Sequence, residues 1–190
     1  MLKKRRLIAA LATIVGLCAP MVGSGKAHAY ICCKWPYNSA SNLYLNLNYV
    51  NYGDPFLGPL VDNAASTWSA THTPVILNAN GSGPITVAAG TPQCGNCGGY
   101  TSISGSPIQS ASIVMNESYL KASASQYQSG LVIHEFGHAL GLAHADGSGC
   151  TSVMYSNLTL AHATTSPAGY DVSELNRAYP NSTWPPSGAC

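Results

Sequence analysis

The chain has 190 residues, enough for one ordinary domain with a core, and only 8% of them are charged. The formal charge is +1, but Lys3, Lys4, Arg5, Arg6 and Lys26 lie in the first 29 positions and no acidic residue does, which leaves three bases against seven acids, or −4, for the remainder. Such a lightly charged, mildly acidic surface excludes nucleic acid and anionic membrane as targets.

The basic start Met1-Leu2-Lys3-Lys4-Arg5-Arg6, the apolar run over residues 7–22 and the small-x-small stretch Ala27-His28-Ala29 predict a secretion signal over 1–29. The apolar run is shorter than a bilayer span needs, and Leu17 before Cys18 argues against lipid attachment. The mature part, 30–190, is then expected to be a single secreted domain, extracellular, monomeric and without a membrane anchor. It keeps six cysteines, Cys32, Cys33, Cys94, Cys97, Cys150 and Cys190. An even count in an exported chain reads as disulfides, with fifteen pairings possible. Adjacent Cys32 and Cys33 are expected to take different partners, because a bond between neighbours is strained. If Cys94 closes on Cys97, the N-terminal pair must reach Cys150 and Cys190. Half of a zinc knuckle is the other reading of Cys94-Gly95-Asn96-Cys97, but no second pair at matching spacing exists.

Along the mature chain, Leu43, Leu45, Leu47 and Tyr49 alternate within residues 41–50 and predict a half-buried strand. Leu57, Leu60, Val61, Ala64, Ala65 and Trp68 recur at helical spacing and predict an amphipathic helix over 59–70. Short strands are expected at 74–77, 85–88 and 111–116, with a loop over 90–106 that holds the CxxC. A second helix is expected over 126–140, burying Leu131, Phe136, Ala139 and Leu140. Asp171 followed by Glu174 resembles a capping box for a short helix through Tyr179, ended by Pro180. Residues 181–190 are rich in proline and serine and read as irregular.

The chemistry lies in His134-Glu135-Phe136-Gly137-His138-Ala139-Leu140-Gly141-Leu142-Ala143-His144. Residues four apart stand one helical turn above each other, so His134 and His138 can face one metal ion. Glu135 lies beside them and can take a proton from a metal-bound water without being a ligand. His144 is six residues past His138 and reaches the same ion only if the helix stops and the chain turns back. Gly141 permits this, since glycine enters the left-handed region at no steric cost. Three histidines leave one tetrahedral position open, the coordination of a catalytic zinc rather than a structural one. The reading is one Zn2+ on His134, His138 and His144, with Glu135 as general base in hydrolysis. His72 and His162 have no partner at ligand spacing and read as ordinary loop histidines.

The string HEFGHALGLAH, followed by Ser152-Val153-Met154-Tyr155, resembles the metzincin clan of zinc metallopeptidases, and the short gap to Met154 looks most like the matrixins. The resemblance implies an α+β zincin fold: a twisted, mostly parallel sheet with an antiparallel edge strand, two long helices, and a small C-terminal part carrying a methionine turn. It implies that Met154 is an apolar floor under the imidazoles, that a substrate peptide adds to an edge strand around 111–116, and that residues 155–163 wall a specificity pocket. Matrixins also carry a second zinc and calcium ions. No acid occurs between Asp62 and Glu117 and no histidine between His72 and His134, so those sites are expected to be absent. Ala145 and Ser156 depart from the family's usual serine and proline. Cys33 as an inhibitory thiolate on the zinc is disfavoured against a disulfide, and Tyr155 is expected to pack rather than ligate. The implied function is a secreted endopeptidase acting on extracellular protein. The rival readings are a non-catalytic zinc-binding adhesion or inhibitor module and a zinc amidase of cell-wall peptides.

Overall fold

The computed structural model describes residues 31, 33–50, 54–79, 82–146, 151–157 and 164–181. The expected signal segment, Cys32, Cys150, Cys190, His162, most of the expected pocket wall and the terminal stretch lie outside them.

Nine elements follow in order: β1 (Leu43–Tyr49), α1 (Leu57–Ser69), β2 (Val75–Asn78), β3 (Ile85–Ala89), β4 (Gly99–Ser104), β5 (Ser110–Met115), α2 (Glu117–Lys121), α3 (Ser125–Ala139) and α4 (Gly169–Ala178). The strands form one sheet in the order β2-β1-β3-β5-β4. β1 pairs in parallel with β2 and β3, and β3 with β5, whereas β4 runs antiparallel to β5 from Gly99↔Met115 to Ser104↔Ser110. The mixed α+β architecture is thus as expected, but the edge is not. Residues 111–116 were expected at the edge and lie inside the sheet, while the antiparallel edge strand is β4, within the stretch expected to be a loop. Only its inward positions show a strand pattern, because its outer face meets water.

The alternation in β1 buries Leu43, Leu45, Leu47 and Tyr49 on one face, joined by Val75, Leu77, Ile85, Val87, Ile113 and Met115 from the neighbouring strands. On this face lie α1 and α3, which pack against each other; α1 covers β2, and α3 covers β4 and β5. α1 starts two residues before the expected point because Asp54 Oδ1 accepts from the amides of Phe56 (2.8 Å) and Leu57 (2.7 Å), satisfying donors that a helix start leaves over. Those backbone bonds hold the Asp54 carboxyl below its usual pKa. Trp68, fully buried near the end of α1, donates its indole N–H to Ile133 O of α3 at 2.9 Å. That bond fixes how the two helices meet.

α2 has no counterpart among the expected elements. Its five residues are too few to display a period, and Asn116 caps it by accepting from Tyr119 N at 3.1 Å.

Candidate metal centre

α3 ends at Ala139 and the chain reverses at Gly141, whose φ is +97°. Gly141 N–H donates to His138 O (2.8 Å) and Leu142 N–H to Gly137 O (3.0 Å), the paired bonds of a Schellman stop. The remaining carbonyls are closed from elsewhere in the chain. Ala139 O accepts from the Trp35 indole at 3.0 Å, and Leu140 O from the Tyr179 hydroxyl at 2.8 Å. A side chain at Gly141 would collide with Cys33 O, so the glycine also lets the N-terminal segment lie against the turn. The returning strand brings His144 back to α3.

The ligand atoms of His134, His138 and His144 lie within 4.8 Å of one another. His134 Nδ1 is 2.7 Å from Val153 O and His138 Nδ1 is 2.7 Å from Leu142 O. A carbonyl only accepts, so each Nδ1 carries the proton and each Nε2 presents its lone pair inward. His138 Nε2 and His144 Nε2 are 3.2 Å apart. Two imidazole ligands on a tetrahedral zinc, each bonded at about 2.0–2.1 Å, would stand roughly 3.4 Å apart. The residues therefore fit the ion. Burial, then the nearby His138 charge, holds the His134 pKa well below the usual range; burial brings His138 down to about 4, and His144 is lowered by the same cause. Each shift favours the neutral ring, the state that ligation requires.

Glu135 points from the same helix toward β4 and is 4% exposed. A Cβ at Gly99 would fall 2.8 Å from Glu135 Cγ and 2.9 Å from its Oε1, so the carboxylate lies directly on the glycine backbone. Thr101 Oγ1 lies 2.6 Å from Glu135 Oε2 and 3.0 Å from Glu135 O. Burial raises the carboxyl to about pKa 7, against the lowering effect of the Thr101 bond. Just before β4, Cys94 and Cys97 form a disulfide, which disposes of the zinc-knuckle reading. Asn116 clasps this bend, with its amide N–H donating to Gly98 O at 2.8 Å and its Nδ2 to Cys97 O at 3.3 Å.

Met154 is fully buried. A Cβ at Gly137 would fall on its Sδ, and 3.0 Å from Trp68 Cζ2. The segment bearing Met154 is tied at several points. Met154 O accepts from Ala145 N at 2.8 Å, and Asp146 Oδ1 from Ser156 N at 3.0 Å. Asp171 of α4 accepts from Ser152 Oγ (2.5 Å), Val153 N (3.0 Å) and Ala168 N (2.9 Å). Burial raises the Asp171 pKa while these three bonds oppose it. The expected capping box is thereby corrected. α4 begins at Gly169, Asp171 reaches back to Ala168, and Glu174 bonds Arg177 instead.

His134, His138 and His144 come together at one point, Glu135 follows His134 on the same helix, and His72 is not part of the cluster. Thr101, Gly99, Trp35 and Asp171 were not anticipated. Tyr100, Thr101 and Ile103 are strand-formers that could have marked β4, but nothing local signals the long-range bonds of Trp35 and Asp171.

The profile of the peptidase M43 family, described as pregnancy-associated plasma protein-A, matches residues 85–178, just under half of the chain and inclusive of the three histidines and Glu135. No curated protein sequence matches the chain. Among solved structures, high choriolytic enzyme 1, a hatching enzyme zinc-protease from the medaka fish Oryzias latipes, is similar at 12% identity and a TM-score of 0.53, over 76% of this chain and 92% of that one. Myroilysin is similar at 18% identity and a TM-score of 0.52, over 77% and 82%. The GM1-bound ECX AB5 holotoxin contains a chain similar at 14% identity and a TM-score of 0.53, over 75% and 85%. At these identities the likeness is one of fold. With the family match, it supports a zinc metallopeptidase of the metzincin type.

Proposed function

We propose that the chain is a secreted endopeptidase of extracellular proteins, in which His134, His138 and His144 hold one zinc ion and Glu135 is the general base. The observation that carries this reading is the convergence of three imidazoles, two with their tautomers fixed by carbonyls, on a helix that also bears a buried carboxylate. A bound zinc would polarise the scissile carbonyl and lower the pKa of water to near neutrality. Glu135 then takes the proton from the attacking water and passes it to the leaving amine, and burial keeps bulk water from competing for it. A nearby dication favours the ionised carboxylate despite that burial.

In this reading residues 1–29 are the signal, 30–190 form a single monomeric catalytic domain, and Met154 is the floor of the zinc site, in a matrixin-like arrangement. The substrate adds to β4 rather than to residues 111–116, since β4 is the last strand of the sheet and its outer row of amides and carbonyls suits an extended peptide. Glu135→Gln is the direct test. It should keep zinc and lose peptide cleavage by at least about 100-fold, in line with the loss of a general base. Chelator-sensitive cleavage of a peptide library by the wild type, retained in the variant, would refute the role of Glu135. Digestion of peptidoglycan but not of protein would replace the endopeptidase with an amidase.

A further inference from the structure

Glu135 is a long side chain whose terminal torsion is soft, yet the proposed chemistry needs its carboxylate at one place. The groups that fix it come from β4. Gly99 and Thr101 are two residues apart on a strand and so face the same side, toward α3. Gly99 supplies space, because any Cβ there would overlap Glu135 Cγ and Oε1. Thr101 supplies direction. Its hydroxyl has one proton to give and two acceptors in range, Glu135 Oε2 at 2.6 Å and Glu135 O at 3.0 Å. The shorter contact and the carboxylate's charge favour Oε2. Threonine is β-branched and stiff at χ1, so the hydroxyl holds its aim without other support.

We infer that Thr101 is a positioning residue for the base: it fixes Oε2 from the edge strand and leaves Oε1 as the oxygen that receives the proton. The inference rests on the reading of Glu135 as general base. It adds a second duty to β4, which would both pair with the substrate and aim the carboxylate at it, so a single element sets the register between bond and base. A misplacement of the base on the order of 1 Å would be enough to slow the chemical step strongly.

The test compares Thr101→Val, which keeps the shape of the side chain, with Thr101→Ser, which keeps the hydroxyl. In the zinc-loaded enzyme Thr101→Val should lower kcat by about 10- to 100-fold, the worth of one hydrogen bond to a charged group, with KM within about twofold. Thr101→Ser should restore most of the rate. Both should hold zinc as tightly as the wild type in a chelator competition. A crystal structure of zinc-loaded Thr101→Val should show Glu135 in more than one rotamer, a result that needs no turnover. Wild-type kcat in Thr101→Val, an equal defect in Thr101→Ser, loss of zinc together with activity, or an unmoved Glu135 would each overturn the inference. A wild type with no chelator-sensitive hydrolysis would refute the reading of Glu135 itself, while the rotamer result would still judge the contact.

Discussion

Gly137 lies inside α3, where glycine costs about 1 kcal/mol relative to alanine. Helix propensity alone therefore predicts that Gly137→Ala stabilises the protein. The packing predicts the opposite. The new Cβ would fall on Met154 Sδ, 3.1 Å from Met154 Cε and 3.0 Å from Trp68 Cζ2. Methionine is adaptable, but Met154 and Trp68 are both fully buried, and the Trp68 indole is held by Ile133 O. Overpacking of this kind costs about 1–3 kcal/mol or more, and two neighbours must move at once, so the steric cost exceeds the propensity gain. With the steric cost in the upper part of that range, the expected net loss after the propensity gain is roughly 1–2 kcal/mol, a fall in Tm of about 2–8 °C for a domain of this size. Thermal and urea unfolding of the zinc-free protein measure it directly. The Met154→Ala background adds a control, since removal of the obstructing sulfur should make Gly137→Ala much less costly there. A Gly137→Ala protein as stable as the wild type or more so, or a cost unchanged by Met154→Ala, would refute the argument.

Asp171→Ala removes the acceptor of three hydrogen bonds and should destabilise the protein by about 2–4 kcal/mol, with Asp171→Asn between it and the wild type, as read by urea unfolding. The same variant should weaken zinc retention, because Val153 both donates to Asp171 and accepts from His134. In the zinc-free protein, pH acts with two signs. His134 and His138 have depressed pKa values, so the stability they contribute is present above about pH 6.5 and is lost as pH falls toward the folded values. Glu135 is raised to about 7, so its contribution is greatest below about pH 4.5 and is lost as pH rises through 7. Between pH 7 and 5 the two effects oppose each other, and Glu135→Gln removes only the second. That variant should lose about 2 kcal/mol more stability over this interval than the wild type. Parallel urea titrations at the two pH values check it, and equal slopes would contradict the burial of Glu135.

What could be read along the chain was what repeats or stands at fixed spacing. The alternation of Leu43, Leu45, Leu47 and Tyr49, the helical recurrence from Leu57 to Trp68, and the four-residue step from His134 to His138 each encode a face by period. Gly141 was legible because one backbone angle was demanded of it and glycine alone meets that demand cheaply. β4 was not, because an edge strand needs only one apolar face, and Ser102 and Ser104 make the other look like loop. Its pairing with β5 also depends on strand order, which no local pattern carries. Asp171 illustrates a different limit. Its spacing to Glu174 resembled a cap, but the carboxylate serves a turn 18–19 residues away in sequence. A buried acid and a capping acid look alike in sequence.

Trp35 N–H donates to the Tyr179 hydroxyl across 144 positions, and that hydroxyl in turn donates a hydrogen bond to Leu140 O. The carbonyl end of the histidine-bearing helix is therefore closed by residues from near the two limits of the described chain. A polypeptide leaves the ribosome from its N-terminus, so Trp35 waits 144 residues for its partner. Until Tyr179 arrives, the turn that returns His144 lacks one of its fastenings, and Asp171 arrives scarcely earlier to secure the segment under His134. A growing chain therefore carries the full HEFGHALGLAH string before the tethers from Asp171 and Tyr179 exist.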